Sequence, residues 1–127
     1  MASSPTSQEL DQFIARYIGS VEQLEILCLL SVNPAKPWSV SEVFRVIQSS
    51  EPSVQERLEE FQREGFLVRE TDGLYRYAPK APDLTRMVAE LAKAYQERRV
   101  TIVEMIYRPR GNPLQDFADA FRLRKEK

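Results

Sequence analysis

Chemistry in this chain has to come from carboxylates, amines, guanidinium groups and amides, because its 127 residues include no histidine and one cysteine. Lacking histidine, it lacks both the commonest general base at neutral pH and the commonest zinc ligand. Asp, Glu and Lys could still move protons, but no set of them stands at a telling spacing, and no glycine-rich loop offers to cradle a phosphate. The composition speaks against an enzyme and implies no metal or cofactor. What remains is recognition through charge. The formal net charge is −1, so no overall basic field draws the chain to a polyanion. The charges are nevertheless segregated. Residues 51–65 carry two basic and five acidic side chains, residues 66–80 three and two, and residues 81–127 ten and seven. An anion-binding surface is therefore expected in the last two segments.

The elements that must position these charges can be read from periodicity. With 43% apolar residues and this length, one domain with a real core is expected. Residues 1–8 are small and polar and read as a disordered tail. Leu10, Phe13, Ile14 and Tyr17 recur at helical spacing, and Gly19 is expected to end that helix before Ser20 caps the next. Val21, Leu24, Leu27, Cys28 and Val32, widened by Ile26, Leu29 and Leu30, describe a helix apolar on most sides, which belongs at the centre of a core. A lone cysteine in such a run reads as a small hydrophobe, and a single cysteine fits a reducing, cytoplasmic compartment. No secretion signal or membrane-length apolar run is visible, so no membrane partner is expected.

Lys36-Pro37-Trp38 reads as extended, since the residue before a proline avoids helical angles. Ser39 and Glu42 fit a capping box, with Val43, Phe44 and Ile47 as the buried face of a helix near 40–48. Ser49 to Pro52 is a turn. Val54, Leu58 and Phe61 are the buried stripe of a second helix over 52–64, which Gly65 ends. Phe66 to Glu70 and Leu74 to Ala78 are strand-like. Asp72-Gly73 between them predicts a two-residue type I′ hairpin. Beyond Pro82, Asp83 should cap a long helix running to about Tyr107. Its apolar positions are Leu84, Val88, Leu91, Tyr95, Ile102 and Ile106. A short last helix from Asn112, with Leu114, Phe117 and Phe121 on one face, precedes a basic end.

Helix, turn, helix, then hairpin over Trp38–Tyr77 resembles a winged helix-turn-helix of the broad MarR/PadR type of bacterial regulators. The residues that carry the resemblance are Trp38-Ser39-Val40-Ser41-Glu42-Val43, Ser53-Val54 to Leu58, Phe61 to Leu67 with Gly65, and the Asp72-Gly73 hairpin. The resemblance implies a mostly α fold with a small β-hairpin wing and a long C-terminal helix. It divides the chain into a winged-helix domain over 9–82 and a helical part over 83–127. In that family the second helix of the motif enters the major groove. By position, Ser53, Gln55 and Arg57 would face DNA there, with Gln55 suited to adenine and Arg57 to guanine or a phosphate. Arg69, Arg76 and Lys80 lie where the family's wing meets DNA; as bare strand residues they are equally ordinary exposed charges. Glu56, Glu59 and Glu60 depart from the family pattern, which usually has Lys or Arg among these positions.

The resemblance also implies a homodimer through the long helix, with Leu84, Val88, Leu91, Tyr95, Ile102 and Ile106 as the dimerisation stripe. The same stripe could instead pack within the chain on the Leu10–Tyr17 helix. The expected function is a DNA-binding transcriptional regulator, a dimer on a pseudo-palindromic site of duplex DNA. The alternative is a protein-interaction adaptor whose acidic helix, through Glu56, Glu59 and Glu60, docks a protein partner in place of DNA.

Overall fold

Leu10, Phe13 and Ile14 turn one face of α1 (Ser7–Tyr17) into the core. In the computed structural model, residues 7–109 are described. The helix takes in Ser7 and Gln8, two residues earlier than the sequence suggests. Glu9 sits in its first turn, where a carboxylate favours the positive end of the helix dipole. Ser20 then caps α2 (Val21–Ser31) by accepting the Gln23 N–H at 3.2 Å, and Gln23 Oε1 accepts the Gly19 N–H. Leu24, Ile26, Leu27 and Leu30 are fully buried, which makes α2 the central helix that its all-round apolar pattern requires.

Strand β1 (Pro37–Trp38) leads into α3 (Val40–Ile47). The capping box forms: Glu42 N–H donates to Ser39 Oγ at 3.1 Å, and Ser39 N–H donates to Glu42 Oε1 at 3.0 Å. Gln48 closes α3 at φ 63°, a left-handed turn made without glycine. Ser50 caps α4 (Glu51–Arg63), so Pro52 sits at its second position, still inside the turn whose N–H groups have no helical partner. Val54, Leu58 and Phe61 are fully buried. Gly65, at φ +91°, ends α4, and the Phe66 N–H reaches back to the Phe61 carbonyl at 2.9 Å.

Strands β2 (Leu67–Arg69) and β3 (Tyr75–Tyr77) complete an antiparallel sheet in the order β1-β3-β2. Trp38 and Arg69 are both opposite Tyr75. The hairpin corrects the expected type I′ turn, because Gly73 has positive φ and Asp72 does not. Gly73 N–H donates to the Glu70 carbonyl at 2.9 Å, and Glu70 N–H to the Leu74 carbonyl at 2.7 Å. The loop is thus three residues long with a left-handed glycine at its end. Asp72 Oδ1 accepts the Leu74 N–H at 3.2 Å, which its non-positive φ permits.

The single long helix of the sequence reading is two helices, α5 (Pro82–Glu97) and α6 (Arg99–Tyr107), broken at Arg98 (φ −140°, ψ 58°). Asp83 does not cap α5; Ala81 holds that position, and Asp83 pairs with Arg86 at 2.7 Å. No proline or glycine marks the break, and its reason is tertiary. At about 1.5 Å per residue the 11 residues of α1 span about 16 Å, whereas a straight helix over 82–107 would span about 39 Å. Breaking at Arg98 lets both α5 and α6 pack on the short α1.

That packing uses the stripe read as a dimer face. Val88, Leu91, Tyr95, Ile102 and Ile106 are buried within the protomer and Leu84 packs against the same core. On α6 the outward apolar side chains are Val100 and Tyr107, 71% and 60% exposed. Phe66 meets Phe13, Tyr17 and Phe61 edge-on, tying α1, α4 and the sheet together. The last short helix expected from Asn112, with its basic end, lies outside the described residues.

Candidate nucleic-acid interface

With Val54, Leu58 and Phe61 turned inward, the opposite line of α4 follows from three- and four-residue spacing. It holds Pro52, Glu56, Glu59 and Arg63, with Gln55 beside it. Helix α3 packs across the back of α4, and the β2–β3 hairpin rises beyond the end of α4. Helix, supporting helix and wing therefore have the arrangement from which this motif presents one helix outward.

Five of the six side chains assigned to that surface divide into two groups. Gln55 is exposed and donates to Glu59 Oε2 at 3.3 Å; Arg69 is exposed, with its guanidinium 5.5 Å from the centre of the Tyr75 ring. Both point away from the core. Ser53, Arg57 and Arg76 are engaged with the protein itself. Ser53 Oγ donates to Glu22 Oε1 on α2 at 2.7 Å. Arg57 is only 21% exposed and reaches Glu56 at 2.9 Å and Glu60 at 3.4 Å, while its Nε is buried without a partner. Arg76 donates to Glu70 across the hairpin at 2.8 Å, a diagonal cross-strand pair. Lys80 lies past β3; its N–H donates to the Gly65 carbonyl at 2.8 Å and its alkyl stem runs against Gly65.

The three glutamates also differ from one another. Glu60 faces α2, accepting from Gln23 Nε2 at 3.1 Å as well as from Arg57. Glu56 is partly neutralised by Arg57. Glu59 alone of the three meets only an amide in its hydrogen bonding. The outward face is therefore less acidic than the residue count of α4 suggests.

Two further exposed guanidinium groups, which the sequence reading does not single out, stand on or beside this face. Arg63 stands four residues after Glu59 and seven after Glu56, on the outward line itself. Helical spacing alone could have placed it there. Arg45 is exposed on α3, four residues after Ser41, whose hydroxyl donates to Glu51 at the start of α4 at 3.1 Å. That contact sets the Ser41–Arg45 face beside the N-terminus of α4.

Between the end of α1, the start of α2 and the last turns of α4 lies a cleft of about 450 Å³, lined by Arg16, Gln23, Glu60, Arg63 and Glu64 among others. Partial burial, followed by the neighbouring Glu60 carboxylate, raises the Glu64 carboxyl above its ordinary range. Among the described residues no group of three or more His, Cys, Asp or Glu could hold a metal ion, and no helix is long and apolar enough to cross a membrane.

No protein-family model and no curated protein matches the chain. Its structure is similar to the crystal structure of MepR, a transcription regulator of the Staphylococcus aureus multidrug efflux pump MepA. The TM-score is 0.52 at 16% identity, over 94% of this chain and 85% of that one. The likeness shows the winged-helix fold, carried by α3, α4 and the β2–β3 wing within a mostly helical frame.

Proposed function

We propose that the protein is a DNA-binding transcriptional regulator that presents the outward line of α4 to the major groove. The observation that carries this reading is the placement of α4. It is backed by α3 and flanked by the wing, and it leaves Gln55, Glu56 and Arg63 exposed. The regulatory role described for MepR, which shares the fold, supports it. Gln55 would read base edges, and Arg63, Arg69, Arg45 and the Lys80 amine would contact phosphates. Ser53, Arg57 and Arg76, bound to Glu22, Glu56, Glu60 and Glu70, act by holding the helix and the wing in shape.

The regulator works as a homodimer on a pseudo-palindromic site. Because Val88, Leu91, Tyr95, Ile102 and Ile106 serve the protomer's own core, the dimer contact falls to the outward face of α6 with Val100 and Tyr107. A second reading, in which α4 docks a basic protein, is favoured by the outward carboxylates Glu51, Glu56 and Glu59.

Fluorescence anisotropy tests the choice, using duplex DNA from the gene's own upstream region beside a scrambled duplex at low and moderate salt. Sequence-selective binding that weakens with salt supports the regulator. The absence of binding to both duplexes at micromolar protein refutes it and directs the search to a protein partner.

A further inference from the structure

We propose that Glu22 and Gln23, in the first turn of α2, are positioning residues for α4, and that the Tyr107 hydroxyl at the end of α6 holds that turn in place. That the positioning serves DNA recognition rests on the function proposed above; the positioning itself does not.

An apolar stripe alone fixes the depth of a helix against a core better than its roll. Val54, Leu58 and Phe61 press α4 inward, but they would tolerate rotation about its own axis. Polar bonds along one edge remove that freedom. Glu22 accepts the hydroxyls of both Ser49 and Ser53. Gln23 Nε2 donates to Glu60 Oε1 at 3.1 Å, and Glu60 in turn accepts from Arg57. Ser53 and Glu60 are seven residues apart, close to two turns, so the two attachments lie on the same edge about 10 Å from each other. Two fixed points on one edge set both the roll and the axial position of the surface bearing Gln55 and Arg63.

The residue before Glu22 is tied to a third element. Val21 N–H donates to Tyr107 Oη at 3.3 Å. Val21 is the first residue of α2, and its N–H has no acceptor within the helix. The phenol oxygen fills that vacancy across 86 residues of sequence. Three consecutive side-chain or backbone groups thus join the end of α6 to both attachments on α4. Tyr107 is 60% exposed, so whatever covers the outer face of α6 meets the residue that caps this turn.

Amide hydrogen exchange on the full chain tests the proposal with Tyr107→Phe, Glu22→Ala and the double variant. Each single change removes hydrogen bonds and leaves the buried stripes intact. Exchange over Ser53–Leu58 should accelerate by roughly three- to tenfold in either variant, the range of one or two net hydrogen bonds. The double variant should exceed the larger single effect by little, because both act through one turn. Amides toward the end of α2, from Cys28 to Leu30, lie away from its first turn and should stay as slow as in the wild type. Wild-type exchange over Ser53–Leu58 in Tyr107→Phe overturns the link to α6, and wild-type exchange there in Glu22→Ala overturns the positioning role. Equal acceleration in every helix reduces the effect to general destabilisation and also overturns it. Anisotropy with duplex DNA separates the two ideas: a wild type that binds no DNA removes the recognition function, while the exchange pattern still decides the positioning.

Discussion

Gly65 and Lys80 are so close that a Cβ on Gly65 would lie 2.3 Å from Lys80 Cδ. The absent side chain of one residue is the bed for the stem of the other, and the Lys80 N–H bonds the Gly65 carbonyl in the same place. The φ of +91° at Gly65 is a second, independent reason for glycine. Gly65→Ala should therefore cost about 1–2 kcal/mol in urea unfolding, the penalty of a left-handed alanine plus crowding. The crowding falls on a flexible side chain, so Gly65→Ala with Lys80→Ala should recover only the smaller part. Full recovery in the double variant would show that the backbone conformation contributes nothing.

Arg57 and Arg63 should separate stability from binding. Arg57→Ala removes the cation between Glu56 and Glu60. Because that pair is only partly buried, the loss should be about 0.5–1 kcal/mol. Arg63→Ala, exposed and without a carboxylate in hydrogen-bonding contact, should leave the melting temperature unchanged. It should lower DNA affinity and reduce the slope of log affinity against log salt by about one. Reversed effects, with Arg57 governing affinity and Arg63 stability, would return base reading to Arg57.

The capping box on α3 predicts an acid limb in the stability profile. Ser39→Ala should cost about 1 kcal/mol, as N-cap losses do. The Ser39 N–H holds the Glu42 carboxyl below its ordinary value, with smaller help from Lys36 and the Ser39 hydroxyl. A depressed folded-state value gives stability that is present above the unfolded value, near 4.3, and is lost as pH falls through the folded one. Glu42→Gln should therefore lose less stability than the wild type between about pH 5 and pH 3. Parallel melting curves for the two proteins across that range would remove Glu42 from the acid limb.

At the alkaline end the sign is opposite. Burial, with a smaller push from Glu25, raises the Cys28 thiol to about 11. Burial and then Cys28 raise the Tyr77 phenol to about 12. Both groups are neutral in the fold and resist ionising, so stability holds below their unfolded values and falls as pH rises from about 9 toward these folded values. Cys28→Ala should flatten the part of this decline between about 9 and 11. Native protein at pH 8 should also react with a disulfide reagent far more slowly than unfolded protein. Equal rates would place the thiol in water.

The dimer proposal makes a prediction at one exposed residue. Val100→Glu, on the outer face of α6, should shift sedimentation toward the monomer while leaving thermal unfolding of the protomer unaltered. An unchanged sedimentation profile would move the contact away from α6.

Much of the fold is legible in the sequence because local chemistry and tertiary fate agree. Ser39 and Glu42, Gly65, and the apolar stripe of Val54, Leu58 and Phe61 carry their roles in residue type and spacing. The break at Arg98 is not legible. Leu84 to Ile106 keeps one stripe across it, and what interrupts the helix is the limited length of α1. The candidate surface is half legible. Outward positions follow from the inward ones, and Arg63 could have been placed that way. The engagement of Ser53 by Glu22 or of Glu60 by Gln23 depends on contacts 31 and 37 residues apart that no pattern announces.

The three strands described earlier contain two, three and three residues. Both borders of the sheet are therefore stubs, and one of them begins with Pro37, which has no N–H to offer. A border this brief cannot template another chain's backbone, so runaway ribbon growth of the cross-β kind has no starting ledge here. Among the described residues the surfaces open to a second copy are then those of helices, where side-chain shape, and hence selection of one partner geometry, governs the outcome.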